Sequence, residues 1–336
     1  MKKLSFFLLC LFIVAPLLTP LKISPLQQEK LGSPSQLYDN IDMSKLEKDQ
    51  VSRLNEKLKS AKLKPIKEFS ASERNKIKNM KNKFASVSSQ GDIIQGKDRS
   101  VFNSGISFTN SDVTALAEDH RVKVTNTTTS PYNAMAQIDF KDASGDWYVC
   151  SGTFLNRTTV LTAAHCVFDS YTHKFHSYWS VYPGDNGTAL PYGGWSSTKA
   201  YAPIGWINST APNEGEIYLR DVQYDYAVIK IDSSHSYHLP ISSSSGIGNS
   251  IISYGYPTDK GEGSGYYYLY KSAGSITDFQ YNAIIHSSYV TSGMSGGPIL
   301  KSSSIISVNS TYNWSAKFGS IHVHTINEWK SLPYYK

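Results

Sequence analysis

Three side chains in this sequence have the types and settings needed to move a proton and attack a carbonyl. Ser295 lies in Gly293-Met294-Ser295-Gly296-Gly297-Pro298, where flanking glycines leave room for a ligand to approach and allow backbone angles that aim two amide N–H groups at one point. His165 closes the run Val160-Leu161-Thr162-Ala163-Ala164-His165-Cys166, an apolar stretch ending in two small residues and an imidazole. An imidazole accepts and returns a proton near neutral pH, so it suits a general base. The third member must be a carboxylate held out of bulk water, to orient the imidazole. Asp225, at the mouth of Tyr224-Asp225-Tyr226-Ala227-Val228-Ile229-Lys230-Ile231, fits that need, with Asp221 as the second candidate. The chemistry would be nucleophilic: a hydroxyl attacks, an imidazole carries the proton, and a carboxylate fixes the imidazole. Gly-x-Ser-x-Gly also describes the elbow of α/β hydrolases, but those carry acid and base after the serine, and here Glu328 is the only acid beyond Ser295.

The elements that must position these groups read as strands. From about Val122 the chain is a series of short apolar runs separated by Gly, Asn, Asp, Pro and Ser, among them Ala134 to Phe140, Trp147 to Phe154, Thr159 to Ala163, Tyr226 to Ile231, Ser250 to Tyr254, Ala283 to His286, Pro298 to Leu300 and Ser304 to Val308. That texture predicts an all-β protein with frequent turns, folded as one or two closed barrels. Only Thr325 to Leu332 reads as helical. His322-Val323-His324 puts two imidazoles on one face if that stretch is a strand, but no third ligand is signalled, so neither a metal nor another cofactor is expected.

The N-terminal third has a different character. Met1-Lys2-Lys3 followed by the apolar stretch Leu4 to Leu21 has the layout of a secretory signal peptide, taken as residues 1–24, and Pro16 and Pro20 disfavour a stable membrane span. The net charge is +6, yet about 19 of the 33 Lys and Arg and about 10 of the 27 Asp and Glu precede Ser100. The aromatics lie mostly in the acidic-leaning remainder, which argues against a nucleic-acid surface. Residues 25–99 read as a propeptide, its end extending as far as about 118, with a helical pattern from Ser44 to Val87 carried by Leu46, Val51, Leu54, Leu58 and Leu63 and interrupted at Pro65. Cleavage after Arg99 or nearer Asp119 would leave residues 100–336 as the folded body. Removing the leader removes Cys10, so an exported chain keeps Cys150 and Cys166, an even pair expected to form a disulfide beside His165.

The order His165, Asp225, Ser295, with Thr-Ala-Ala-His-Cys, Asp225-Tyr226-Ala227-Val228 and Gly-x-Ser-Gly-Gly-Pro, resembles the chymotrypsin-like serine proteases, and within them most closely the secreted bacterial glutamyl endopeptidases. The resemblance covers about residues 118–332. It includes Val124-Thr125-Asn126-Thr127-Thr128, Tyr182-Pro183-Gly184, Pro191-Tyr192-Gly193 and Gly255-Tyr256-Pro257. It implies a two-barrel fold with a short C-terminal helix behind a helical propeptide. It also implies His165 as base, Asp225 as its orienter, Ser295 as nucleophile, an oxyanion hole from the Gly293 and Ser295 amides, and a Cys150–Cys166 bridge. The implied product is a secreted endopeptidase acting on protein or peptide substrates through an acyl-enzyme. It would be a monomer without stable membrane association, its own propeptide a second partner. A silent binding module on the same fold is the alternative.

Departures from the family pattern bear on specificity. Met294 stands where trypsin-like members carry an aspartate and glutamyl endopeptidases a polar amide. The glutamyl endopeptidases resemble one another in reading the substrate carboxylate with a threonine five residues before the nucleophile and a histidine on the following strand. Here those places hold Val290 and Asn309, and Tyr289 is placed to line the same pocket. A carboxylate needs a charge or donors to be buried, so a preference for an uncharged side chain is expected. Lys271 or a new N-terminal ammonium is the available means of restoring acidic recognition.

Overall fold

The computed structural model describes residues 65–80, 85–95, 118–260 and 267–334. The signal peptide, Cys10, the Ser44 to Leu63 part of the helical pattern and the cut after Arg99 lie outside the described residues. Among the described residues, no helix is long and apolar enough to cross a membrane.

The chain begins with helix α1 (Ala71–Lys78) and the hairpin β1 (Ala85–Ser88) and β2 (Ile93–Gln95). The first large unit follows the two-residue β3 (Val122–Lys123) and consists of β4 (Met135–Lys141), β5 (Trp147–Asn156), β6 (Thr159–Thr162), β7 (Phe168–Asp169), β8 (Lys174–Phe175), β9 (Tyr178–Pro183), β10 (Trp195–Ser197), β11 (Lys199–Pro203), the one-turn helix α2 (Ile204–Ile207) and β12 (Ala227–Lys230). The second consists of β13 (Ser250–Gly255), β14 (Tyr270–Gln280), β15 (Ala283–His286), β16 (Pro298–Lys301), β17 (Ser304–Thr311) and β18 (Trp314–Ala316), and helix α3 (Ser320–Ser331) ends the chain.

Two large sheets result. The first large sheet runs β10-β9-β4-β5-β6-β12-β11-β1-β2. The second runs β13-β16-β17-β18-β15-β14-β3, and a further pairing of β14 with β13 closes it into a barrel. The all-β reading with a short C-terminal helix therefore holds. Alternation explains how one strand serves two cores. On β6 and β12, Val160 and Ile229 point into the first barrel, while Leu161 and Val228 join Leu300, Ile305, Val308 and Phe318 in a second cluster between the barrels. Every residue of both strands is buried, so β6 and β12 are the central seam of the molecule.

Three readings of local structure need correction. The helical pattern does not run to Val87: Ala85–Ser88 is a fully buried strand, paired Val87 to Ala202 with β11. Local propensity gives way there to a long-range ladder and to burial of Ala85 and Val87 in the first core. The C-terminal helix starts at Ser320 rather than Thr325, because the His322 ring supplies an acceptor (Nδ1) for the Gly319 N–H, 3.2 Å away. His322 and His324 thus lie on a helix, not on one strand face. His322 packs against Tyr226 and Phe318, while His324 is exposed.

Candidate active site

His165 sits on a single 3₁₀ turn, Ala164–Cys166, directly after β6. Asp225 follows a second such turn, Leu219–Tyr224, and directly precedes Tyr226 and β12. Because β6 and β12 pair antiparallel with Thr162 opposite Ala227, the two turns leave the sheet side by side. Asp225 is fully buried. One carboxylate oxygen accepts the His165 backbone N–H at 2.9 Å, and the other faces His165 Nδ1 at 2.7 Å. A carboxylate opposite Nδ1 makes that nitrogen the protonated one, leaving Nε2 as the basic position. The Ser310 hydroxyl donates a third hydrogen bond to the carboxylate, from β17 in the other barrel. Behind the imidazole, the His165 carbonyl accepts from His176 Nε2 at 2.9 Å, and the Trp206 ring lies 6.4 Å from the imidazole.

The Cys150–Cys166 disulfide forms as expected, tying β5 to the turn that carries His165. It closes a loop whose ends are 16 residues apart.

Ser295 is delivered by a loop wedged between the barrels. Gly293 and Gly296 have φ of +82° and +79°, angles that favour glycine. Space makes the same demand: a Cβ on Gly296 would lie 2.1 Å from Thr162 Oγ1 and 2.7 Å from the Ala163 amide, two residues before His165. That close approach brings the Ser295 loop onto the strand end that presents the imidazole. The Ser295 carbonyl accepts the Ser151 N–H at 2.7 Å, and the Ser295 hydroxyl lies 3.5 Å from the Ser310 carbonyl. Ser151 also donates its hydroxyl to the Gly293 carbonyl at 2.7 Å, fixing the first glycine. The amides of Met294, Gly296 and Gly297 donate to Thr291, Asn309 and Met294 carbonyls, whereas those of Gly293 and Ser295 have no acceptor among the described residues.

The residues expected to form the specificity pocket behave differently from one another. Tyr289 is partly exposed, its ring 4.8 Å below the Arg121 guanidinium, and Val290 is buried. Asn309, expected to line the pocket, is held by internal hydrogen bonds. It is fully buried, its oxygen accepts from Ser253 Oγ at 2.6 Å, and its NH₂ donates to the Tyr254 and Met294 carbonyls at 2.8 and 3.1 Å. Both N–H donors of that amide are used, so neither is left for a carboxylate ligand. Met294 is fully buried too, with its backbone against Gly255, where a Cβ would come within 2.6 Å of the Met294 Cα. An apolar side chain there is what burial without a charge partner requires.

Sequence reasoning missed Ser310, Ser151 and Arg121. Arg121 has no exposed side-chain surface and binds Asp119, both oxygens of Asp259 and, at 2.6 Å, Thr291 Oγ1, four residues before Ser295. Asp119 is held well below the usual carboxylate range by its hydrogen bonds from the Arg121 guanidinium.

Residues 150–304 match the trypsin-like peptidase domain. The solved structure of a Glu endopeptidase in complex with MPD superposes with a TM-score of 0.57 at 30% identity, over 65% of this chain and 100% of that one. The chain belongs to the chymotrypsin-like serine protease family. Two curated relatives are similar to this chain. The glutamyl endopeptidase of Bacillus licheniformis is 30% identical over 198 residues, covering 56% of this chain and 55% of that protein. The extracellular metalloprotease of Bacillus subtilis is 35% identical over 153 residues, covering 43% and 45%. The chain thus spans about half the length of the curated relatives it matches. The second name raises the question of a metal in this chain. Among the described residues, the grouping of ligand-type side chains is Cys150, His165 and Cys166, within 4.8 Å of one another. Both sulfurs are joined in the disulfide and so are not thiolates, and this donor set does not fit a metal ion.

Proposed function

We propose that the protein is a secreted serine endopeptidase that cleaves peptide bonds through an acyl-enzyme. The observation that carries this reading is the clamping of His165 by Asp225, at both its backbone N–H and its Nδ1, beside a serine loop with two unclaimed amides. Ser295 attacks the substrate carbonyl. His165 takes the hydroxyl proton at Nε2 and returns it to the departing amine, while Asp225 stabilises the imidazolium. The Gly293 and Ser295 amides receive the oxyanion. Water then attacks the ester by the same route, with His165 again as base. Residues 1–24 act as the signal peptide and 25–99 as a propeptide, leaving the enzyme in residues 100–336. Export is supported by the leader, by the disulfide and by the extracellular location in the name of the B. subtilis relative. The enzyme works as a monomer, without a cofactor, on protein and peptide substrates.

Reaction with a fluorophosphonate probe after processing tests the chemistry. A single adduct on Ser295, lost in Ser295→Ala, is the expected result. An unlabelled, folded protein would favour a binding module instead.

Specificity departs from that in the name of the B. licheniformis relative. With both Asn309 N–H donors engaged internally and valine at 290, the pocket offers a substrate carboxylate no partner from these two positions. Cleavage profiling with a peptide library is expected to show preference for an uncharged residue before the cut. Strong selection for glutamate there would overturn this part of the reading while leaving the mechanism intact.

A further inference from the structure

Residues 65–95 have a place in the structure that a disposable leader segment does not need. β1 pairs in register with β11, Ser86 opposite Pro203 and Ser88 opposite Tyr201, and β2 pairs outside it. Ser89 extends the ladder: its N–H donates to the Ala200 carbonyl at 3.0 Å, and its hydroxyl donates to the Thr198 carbonyl at 2.7 Å and accepts the Ala200 N–H at 3.0 Å. All four β1 residues are buried. Ile77, Ala85 and Val87 belong to the same apolar core as Ala202, Ile204 and Trp206. Phe69 packs on Phe175, and the Ile77 carbonyl at the end of α1 accepts from Asn208 Nδ2 at 3.3 Å.

The element this segment grips is α2 with its flanks, and α2 lies behind both members of the His–Asp pair. Trp206 sits 6.4 Å from the His165 ring, and its indole N–H is fixed by the Phe168 carbonyl at 2.9 Å. The Tyr224 ring, next to Asp225 in the chain, lies so close to Gly205 that a Cβ there would meet it at 2.4 Å. The hydrogen bonds of residues 65–94 go to β11, to Thr198, to Asn208 and to one another; among the described residues, none reaches the Tyr289–Gly297 loop where a blocking peptide would lie.

We propose that residues 65–95 are a strand-donating brace for the first barrel: they stay on the edge of β11 after the chain is cut downstream of Gln95, and through α2 they position His165 and Asp225. The catalytic half of this inference rests on the peptidase reading above; the binding half does not. The surface is a β-augmentation site, in which main-chain hydrogen bonds give affinity and the buried Ala85 and Val87 side chains give register. Its occupant is this chain's own segment.

The experiment begins with the full chain carrying Ser295→Ala, to prevent self-digestion, and a site for a sequence-specific protease inserted between Gln95 and Glu118. After cutting, size-exclusion chromatography in buffer followed by intact mass under denaturing conditions is expected to find the upstream fragment, which carries residues 65–95, in the catalytic-domain peak. The amides of residues 199–202 should remain protected from hydrogen exchange. Separate elution of the fragment, or rapid exchange of those amides, overturns the proposal without touching the peptidase reading. The same cut is then made with Ser295 intact and with Val87→Asp, which puts a charge in the buried strand. The expected result is loss of the fragment and a fall in kcat of about tenfold or more, with KM changed less than about twofold. Unchanged or increased kcat on release would mark the segment as a passive or inhibitory leader. Absence of activity in the uncut and cut parents alike would sink the peptidase reading and leave the binding result standing.

Discussion

Asp225 accepts three hydrogen bonds in a fully buried position, and each donor removes one way for the carboxylate to turn away from His165. Ser310→Ala deletes the donor that comes from the other barrel. A hydrogen bond to a charged group is worth about 1.5–3 kcal/mol, so kcat should fall about 10- to 100-fold with little change in KM, measured on a peptide substrate. Ser310 had no signal in the sequence, because a serine in Ser307-Val308-Asn309-Ser310-Thr311 of a serine-rich chain reads as an ordinary strand residue. His165, Asp225 and Ser295 were legible for the opposite reason: each is the odd residue in an otherwise apolar or glycine-rich setting, and their order excludes other hydrolase folds. Asn309 shows the limit of reading by position. The sequence identifies the residue, but only the packing reveals that Tyr254 and Met294 take both of its N–H donors while Ser253 donates to its oxygen. Arg121 is similar, its partners Asp259 and Thr291 lying 138 and 170 residues away. Replacing it with Met leaves Asp119 and Asp259 without their shared cation. Since both acids are partly solvated, a loss of about 1–2 kcal/mol is expected in urea unfolding.

Among the elements, the turn carrying His165 and the loop carrying Ser295 are stabilised by different means, one covalent and one steric. Removing the Cys150–Cys166 bridge with paired alanines should cost about 3 kcal/mol in the chain-entropy picture, read as a lower denaturant midpoint. Gly296→Ala adds a methyl group where Thr162 Oγ1 is 2.1 Å and the Ser151 carbonyl 2.4 Å away, with φ already at +79°. The Ser151 carbonyl cannot retreat without moving β5. The variant should therefore lose fluorophosphonate labelling even where circular dichroism reports a folded sheet, and labelling at the parental rate would refute the steric account. The strands of both barrels were legible because burial on both faces leaves short apolar runs bounded by turn residues. The β1–β2 hairpin was not. Its alignment comes from β11, more than 100 residues later, and no local pattern announces a partner so distant. The start of α3 was missed because the His-Val-His alternation imitates a strand, and the ring–backbone contact at Gly319 that begins the helix is invisible before folding.

At the scale of the whole molecule, titration sets the pH range over which the fold survives. Burial holds the imidazoles of His176, His286 and His322 down to about 4. A base with a lowered folded-state pKa binds protons less readily when folded, so stability is complete above the unfolded value near 6.5 and is lost as pH falls toward 4. By pH 5 each costs up to about 2 kcal/mol. Urea midpoints should fall between pH 7 and pH 5, and His286→Gln should flatten the slope; a midpoint unchanged at pH 5 would contradict the assignment. Lys230 adds a separate window. Its ammonium is buried, bonded to Thr159 Oγ1 and the Trp329 carbonyl, and burial lowers it to about 8. Its penalty is in full force below pH 8 and is relieved as pH rises toward the unfolded value near 10.5, so Lys230→Met should flatten stability in that range. The first sheet has a colloidal consequence as well. Lys199–Pro203 is a five-residue strand, buried throughout and capped on one side by Ala85–Ser88. A polypeptide begun at residue 118 would offer that strand's unpaired N–H and C=O groups to any neighbour, and two such molecules can satisfy each other edge to edge. Chains shortened in this way should scatter light and elute as aggregates at concentrations where the full chain stays dispersed.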